Sequence, residues 1–285
     1  MNIPKALNEK LMKVKEILKG KRVLVAFSGG LDSSLVAYFS KKYSKKTIAV
    51  LIKAQTTPSQ EIENAKKISS ELQIPFEVLN IDITEQGKIY RNLRDRCYHC
   101  KKLILSELKE FISLKQDDYP NYDLFVDGTN YSDLSLERPG LKALRESEFR
   151  SPLAEAEITK EDVLKLSQIF DLPSKNIPSQ ACLASRVPFG IPLSQEILEM
   201  VDHSEMYIRE LLDDFETSLR VRIHKLKPSE QYLARIEAGP TIQKKINDIE
   251  IAKKINTRLR KIGFIYITMD LQGFRSGSMH ETIEK

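Results

Sequence analysis

The stretch "VAFSGGLDSSLVAYF", residues 25–39, decides how this chain is read. An almost unbroken apolar run, "RVLVAF" at 22–27, leads into it, as expected of a strand buried on both faces. A helical pattern begins near Leu31 or Asp32 and continues to about Tyr43. Between strand and helix, Ser28, Gly29 and Gly30 let the backbone turn tightly and expose its amides. Those amides, with the positive end of the following helix, make an anion site. Ser33 and Ser34 add hydroxyl donors in the first helical turn. Asp32 is the odd member, because a carboxylate beside polyphosphate is repelled unless Mg2+ lies between them. A strand-to-helix turn with Ser and Gly chosen as caps would explain the glycines alone; the whole arrangement favours phosphate.

Outward from this loop the first half of the chain alternates strands and helices. "TIAVLI" (47–52), "FEVLNI" (76–81) and "YDLFVDG" (122–128) read as strands. An amphipathic helix spans about Ser59 to Leu72, and a helix bearing Cys97 and Cys100 precedes the last of these strands. The alternation predicts an α/β fold with a doubly wound parallel sheet, in which ligands bind at the carboxyl ends of the strands. Asp127, Gly128 and Thr129 stand at such an end and are candidate nucleotide contacts. "ITKEDVLKLSQIFDLPSK" reads as a helix with Thr159 as N-cap, Asp162 completing a capping-box-like pair and Pro173 past the stop. A Pro/Ser/Gly-rich connection at 173–194 marks a domain boundary. Beyond it a helix (194–214), two β-runs, a helix (240–262) and the strand "FIYITMD" form a smaller α+β unit. The expected division is a nucleotide domain at 1–175, a connecting loop with Cys182 at 176–193, and a substrate-binding domain at 194–285.

With 285 residues and 41% apolar content the chain can bury a sizeable core, which excludes disorder. Lys and Arg outnumber Asp and Glu by 45 to 40. That excess suits a phosphorylated ligand or RNA without requiring either, and the basic residues are mostly interleaved with acids, which disfavours nucleic acid. No stretch reaches the roughly 20 apolar residues of a membrane span, and the amphipathic start lacks the features of a signal peptide. Three cysteines, an odd number, argue against a disulfide framework and for a reducing cytoplasm, where clustered thiols more often serve metal or catalysis.

Cys97 and Cys100, one helical turn apart, face the same way. With Cys182 they offer three thiolates. Four readings stand open: inert apolar packing, structural zinc with His99, a redox dithiol, and an iron–sulfur cluster with three protein ligands and one open iron. "LRVRIH" places Arg220 and Arg222 on one strand face, where they either take an anionic substrate or simply sit exposed. Arg186 and Arg275 are further anion candidates. Glu137 and Arg138 suit a structural ion pair, and Lys101 either reaches a phosphate or is a solvated lysine.

"SGGLDSS" (28–34) lacks the Lys of a Walker loop and resembles the SGGxDS loop of the ATP pyrophosphatase (PP-loop, adenine-nucleotide α-hydrolase-like) superfamily. That resemblance implies cleavage of ATP between the α- and β-phosphates and activation of a substrate oxygen as an adenylate. The pyrophosphate would be held through Ser28, Gly29, Gly30, Asp32, Ser33 and Ser34, with Mg2+. Four further stretches resemble one family within it, the LarE-type sulfur transferases: "DGTNYSDLSLERPGLKAL" (127–144), "RSPLAEAEITKEDV" (150–163), "ACLASRVPFG" (181–190) and "MDLQGFRSGSM" (269–279). The likeness implies an enzyme that converts two carboxylates of a pyridinium mononucleotide to thiocarboxylates, toward the nickel-pincer nucleotide used by lactate racemase and its relatives. Some members donate sulfur from a single cysteine before the "SR" pair; aligned on Ser185-Arg186, that place falls on Ala181, one residue before Cys182. The helix cysteines are absent from those members, so the resemblance implies the branch carrying a [4Fe-4S] cluster on Cys97, Cys100 and Cys182. Sulfide itself or a sulfur-donor protein would supply the sulfur, and a homo-oligomer is compatible. The rivals are a tRNA thiolase, which commonly carries extra Cys-x-x-Cys pairs or an RNA-binding module that this chain lacks, and a non-enzymatic cluster sensor that binds nucleotide.

Overall fold

The computed structural model describes residues 3–114, 122–135, 139–178 and 181–280. Glu137 and Arg138 lie outside the described residues. In chain order the first elements are α1 (Lys5–Leu18), β1 (Arg22–Ala26), α2 (Leu31–Tyr43), β2 (Lys46–Lys53), α3 (Ser59–Glu71), β3 (Phe76–Asn80) and α4 (Gly87–Tyr90). Then come α5 (Arg96–Leu114), β4 (Leu124–Val126), α6 (Pro139–Arg145), α7 (Pro152–Glu155) and α8 (Lys160–Ile169). The remainder holds α9 (Gln195–Leu212), β5 (Leu219–Lys225), β6 (Tyr232–Ala238), α10 (Pro240–Ile246), α11 (Ile249–Ile262) and β7 (Phe264–Met269). The chain divides into two compact units, Met1–Ile83 with Asp95–Ser179 and Thr84–Arg94 with Gln180–Lys285.

In the first unit four parallel strands run in the order β3-β2-β1-β4. Val23, Leu24 and Val25 of β1 are wholly buried. Val23 and Val25 face a core shared with α1, α2 and α8, while Leu24 faces one shared with α5. Helices on both faces are the reason the strand reads as continuously apolar. From β1 the chain moves outward to β2 and β3, then returns to place β4 on the other side of β1. That reversal makes the carboxyl ends of β1 and β4 the switch point where an open α/β sheet takes its ligand. The expected helix start at 159 is present: Thr159 Oγ1 accepts from the Asp162 amide and Asp162 answers at the Thr159 amide.

In the second unit β5 and β6 pair antiparallel, and β6 and β7 parallel. Val221, Ile223, Ile236 and Phe264 pack with Val201, Ile208, Ile255 and Leu259 of the helices. The single helix expected at 240–262 is two helices. Asp248 restarts the chain by accepting from the amides of Glu250 at 2.9 Å and Ile251 at 3.0 Å, an N-cap inside what the apolar period reads as one run. Thr84–Arg94 joins this unit through Asn92, whose buried side-chain amide donates to the carbonyls of Pro188 at 2.9 Å and Ile191 at 3.0 Å. Among the described residues no helix is long and apolar enough to cross a membrane.

Candidate active site

The turn between β1 and α2 has the conformation its residues permit. Gly29 sits at φ +69°, and a Cβ there would meet the Ala65 Cα at 2.8 Å, so α3 packs directly onto the loop backbone. Gly30 is the N-cap of α2, and no side chain caps it. The amides of Leu31, Asp32 and Ser33 therefore belong to a first turn that intrahelical bonding leaves without acceptors. Ser28 and Ser33 brace the loop: their hydroxyls lie 3.1 Å apart, Gly30 N donates to Ser28 Oγ at 3.3 Å, and Ser33 Oγ donates to the Gly30 carbonyl at 3.0 Å. Ser34 Oγ is buried and has no hydrogen-bond partner among the described residues. A hydroxyl left unsatisfied beside unpaired amides fits an absent anion.

Asp32 is already neutralised. Lys160 Nζ lies 2.5 Å from one of its oxygens and Asn130 Nδ2 donates to the other at 3.0 Å. Lys160 is placed by the Ile158–Lys160 segment, which is pinned to the 130–132 turn through Tyr131 N to Ile158 O (2.8 Å) and Lys160 N to Ser132 Oγ (3.0 Å). Sequence reading missed both Lys160 and Asn130. Their signal was the short polar stretch after β4 and the first residue of α8, neither of which names its partner.

At the end of β4, Asp127 is buried and fully engaged. It accepts from Lys101 Nζ at 3.1 Å, Thr129 Oγ1 at 2.8 Å, Thr129 N at 3.1 Å and Ser151 Oγ at 2.7 Å. Ser151 arrives because the chain at Arg150 bridges to Val126 and extends the sheet. Gly128 has a packing reason: a Cβ there would lie 2.7 Å from the Ser33 amide nitrogen. The close approach lays β4 against the first turn of α2. Lys101 is thus tied to Asp127, and two lysines, Lys101 and Lys160, are held on the carboxylates that flank the loop.

In the second unit Arg186, Arg220 and Arg222 are buried rather than exposed, while Arg275 is partly exposed. Arg186 has no solvent exposure and forms a two-pronged pair with Glu205, both contacts at 2.8 Å. Its other arm donates to the carbonyls of Ala181 and Cys182 and to Ser185 Oγ, so it clamps the loop that carries Cys182. Burial pushes the Glu205 carboxyl up, but the Arg186 charge and hydrogen bonds, Arg220 and the Val221 amide outweigh it and hold the group below the ordinary range. Arg222 pairs with Glu237 at 2.8 Å and donates to the Ser185 carbonyl at 3.0 Å. Arg220 lies over the Phe274 ring at 5.4 Å. Burial first, and the charge of Arg186 next, push its guanidinium down to about 10. Arg275 is tied to Asp270 at 3.2 Å, which also holds Arg235. Arg209, buried and unforeseen in the sequence, donates to the carbonyls of Asp214 and Thr217.

The cysteines are not core residues: Cys97 and Cys182 are exposed and Cys100 is partly so, which sets aside inert packing. Cys97 and Cys100 occupy the first turn of α5, in the first unit, while Cys182 belongs to the second. His99 turns to Asp95, 3.1 Å away. Among the described residues no group of three or more His, Cys, Asp or Glu side chains is gathered to hold a metal ion. Two accessible thiols one turn apart fit two ligand positions of a cluster and no more.

Comparison with known proteins adds the family. Residues 3–109 match the family model of NAD synthase. The chain is 34% identical to an uncharacterised protein of Synechocystis sp., over 93% of this chain and 94% of that one. It is 32% identical to an uncharacterised protein of Methanocaldococcus jannaschii, over 92% and 94% of the two chains. To the pyridinium-3,5-bisthiocarboxylic acid mononucleotide synthase of Lactiplantibacillus plantarum it is 32% identical, over 93% of this chain and 91% of that one. An uncapped phosphate loop at the switch point of a parallel sheet, a separate small α+β unit, and a relative 32% identical over nearly the full length of both chains place the chain in the LarE-type family of ATP-dependent sulfurtransferases.

Proposed function

We propose that the protein adenylates the carboxylates of pyridinium-3,5-biscarboxylic acid mononucleotide and exchanges AMP for sulfur, in the cytoplasm, as a step toward nickel-pincer nucleotide. The observation that carries this reading is the α2 N-terminus: uncapped amides and a buried, unsatisfied Ser34 hydroxyl beside carboxylates already neutralised by lysines. A polyphosphate entering such a site meets donors that need no rearrangement. A substrate carboxylate oxygen attacks the ATP α-phosphate, the bond to the β-phosphate breaks, and pyrophosphate leaves with its charge taken by the loop amides and Lys160. Mg2+ would be held by Asp32 in exchange for its Lys160 contact, freeing Lys160 for the phosphates, and would add positive charge beside the departing pyrophosphate. Arg220 and its neighbours form a layer richer in guanidinium than in carboxylate, which suits a substrate bearing a phosphate and two carboxylates.

The residues assigned to sulfur are Cys97, Cys100 and Cys182. A [4Fe-4S] cluster bound by them would supply sulfide at an iron without a protein ligand. The protein's own part is to present two thiolates from the first turn of α5 and to fix the third through the grip of Arg186 on the Cys182 carbonyl, 3.1 Å away. The division of labour follows: residues 1–175 take ATP and 194–285 take the substrate.

Iron and acid-labile sulfide in anaerobically purified protein, measured beside the number of thiocarboxylates formed per chain, test this. About four irons per chain, lost in Cys182→Ala, with many products per chain support the cluster. Absence of iron after reconstitution, with one product per chain, transfers the sulfur-donor role to Cys182 itself.

A further inference from the structure

The chain's formal charge is +5, and residues 244–261 carry seven Lys or Arg against two acids, so this one stretch holds the whole excess. Most of it lies on α11. Several lysines elsewhere pair with acids: Lys66 with Glu63, Lys165 with Glu161, Lys175 with Asp171, Lys10 with Asp162. On α11 Lys253 pairs with Glu250, but Lys254 and Lys261 have no ion-pair partner among the described residues. Lys254, Arg258 and Lys261 stand at helical spacings of four and three, on one face. That face, with Glu250, Lys253, Thr257 and Tyr207 of α9, lines a shallow cavity of about 320 Å³. The Arg258 guanidinium lies over the Tyr207 ring at 5.7 Å, which fixes one cation of the set in place.

Like charges stacked on adjacent turns repel. A solvated helix face relieves this with interleaved acids, as α8 does with Glu161 and Lys165. The α11 face carries one such acid, Glu250, which also lines the cavity but is taken by Lys253, so Lys254, Arg258 and Lys261 share no acid of their own among the described residues. We propose that this cavity is a second anion site, distinct from the phosphate loop, for a small polyphosphate-class ligand that is held by Lys254, Lys261 and Arg258, with the Thr257 hydroxyl as an added donor. The cavity is at the lower end of the size range of small-molecule sites. The Tyr207 face is already covered by Arg258, which leaves no open aromatic platform for a stacked base and disfavours single-stranded RNA.

The chain contains no Trp. A Tyr207→Trp variant therefore gives one fluorescent reporter in the cavity, and Trp preserves the ring that Arg258 covers. Tripolyphosphate titrated into this variant at about 150 mM salt is expected to change the fluorescence saturably, and Lys254→Ala with Lys261→Ala is expected to weaken the half-point tenfold or more. Both alanines replace exposed side chains, and circular dichroism checks the fold. The phosphate loop is far from this reporter in sequence, and a parallel titration with ATP in Asp32→Asn separates the two sites. Three results overturn the proposal: no change up to millimolar ligand, a change that survives loss of both lysines, or an equal response to sulfate and chloride. Tighter binding of a single-stranded RNA than of tripolyphosphate, with steep salt dependence, would overturn it in favour of RNA.

Discussion

The two units handle negative charge in opposite ways. The first builds its anion site from backbone: glycines, an uncapped helix and amides without acceptors, with lysines parked on carboxylates at the rim. The second builds a layer of buried guanidinium groups, each tied to a carboxylate, a carbonyl or a ring. A backbone site costs little to keep empty, because water can reach its donors. A buried ion-pair layer is part of the fold, because removing one partner strands the other charge without water. The charged site side chains of the first unit should therefore separate activity from stability, whereas those of the second should not.

The sharpest break of that contrast is Arg186. Arg186→Ala removes the buried partner of Glu205 and the clamp on the Cys182 loop. Chemical denaturation should show a loss of about 3–5 kcal/mol, with activity lost alongside. Were Arg186→Ala as stable as the parent, the Arg186–Glu205 pair would not be part of what holds the second unit together. Next, Lys160→Met should lower ATP-dependent AMP formation by about 10²-fold while leaving the melting temperature nearly unchanged, since Lys160 is partly exposed. A large drop in melting temperature there would erase the distinction between the two units.

Gly128→Ala tests the packing that brings β4 to the phosphate loop. The added Cβ would lie 2.7 Å from the Ser33 nitrogen, which is backbone and cannot swing aside. Destabilisation of about 1–3 kcal/mol is expected, with weaker ATP binding by calorimetry. The smallest effect concerns His224. Burial first, and the nearby Arg235 charge next, lower its pKa from the ordinary 6.5. The folded state thus binds fewer protons than the unfolded one, so this contribution to stability is complete above about pH 6.5 and is lost as pH falls below it. Unfolding free energies measured from pH 7 to 5 should decline less in His224→Gln than in the parent.

The same contrast explains what could be read from the chain. The parallel sheet, the loop at 28–34 and the Thr159 cap are written in local pattern, since backbone conformation and burial leave their mark on the residues that adopt them. The break at Asp248 is masked because apolar residues on either side keep a helical period across it. Lys160 on Asp32, Ser151 on Asp127 and Glu205 on Arg186 join residues 128, 24 and 19 positions apart. No spacing rule predicts such pairs, because tertiary packing selects them from many equivalent lysines, serines and glutamates. Arg220 and Arg222 were recognisable as candidates by type, yet their burial depends on what the fold lays over β5.

The most direct measurement of the central claim follows one oxygen atom. If the substrate's carboxylates are labelled with oxygen-18, adenylation and displacement by sulfur must leave one labelled oxygen on each AMP released. The account predicts AMP carrying that label in equal number to the thiocarboxylates formed, with unlabelled pyrophosphate. Label in inorganic phosphate, or AMP without label, would contradict it.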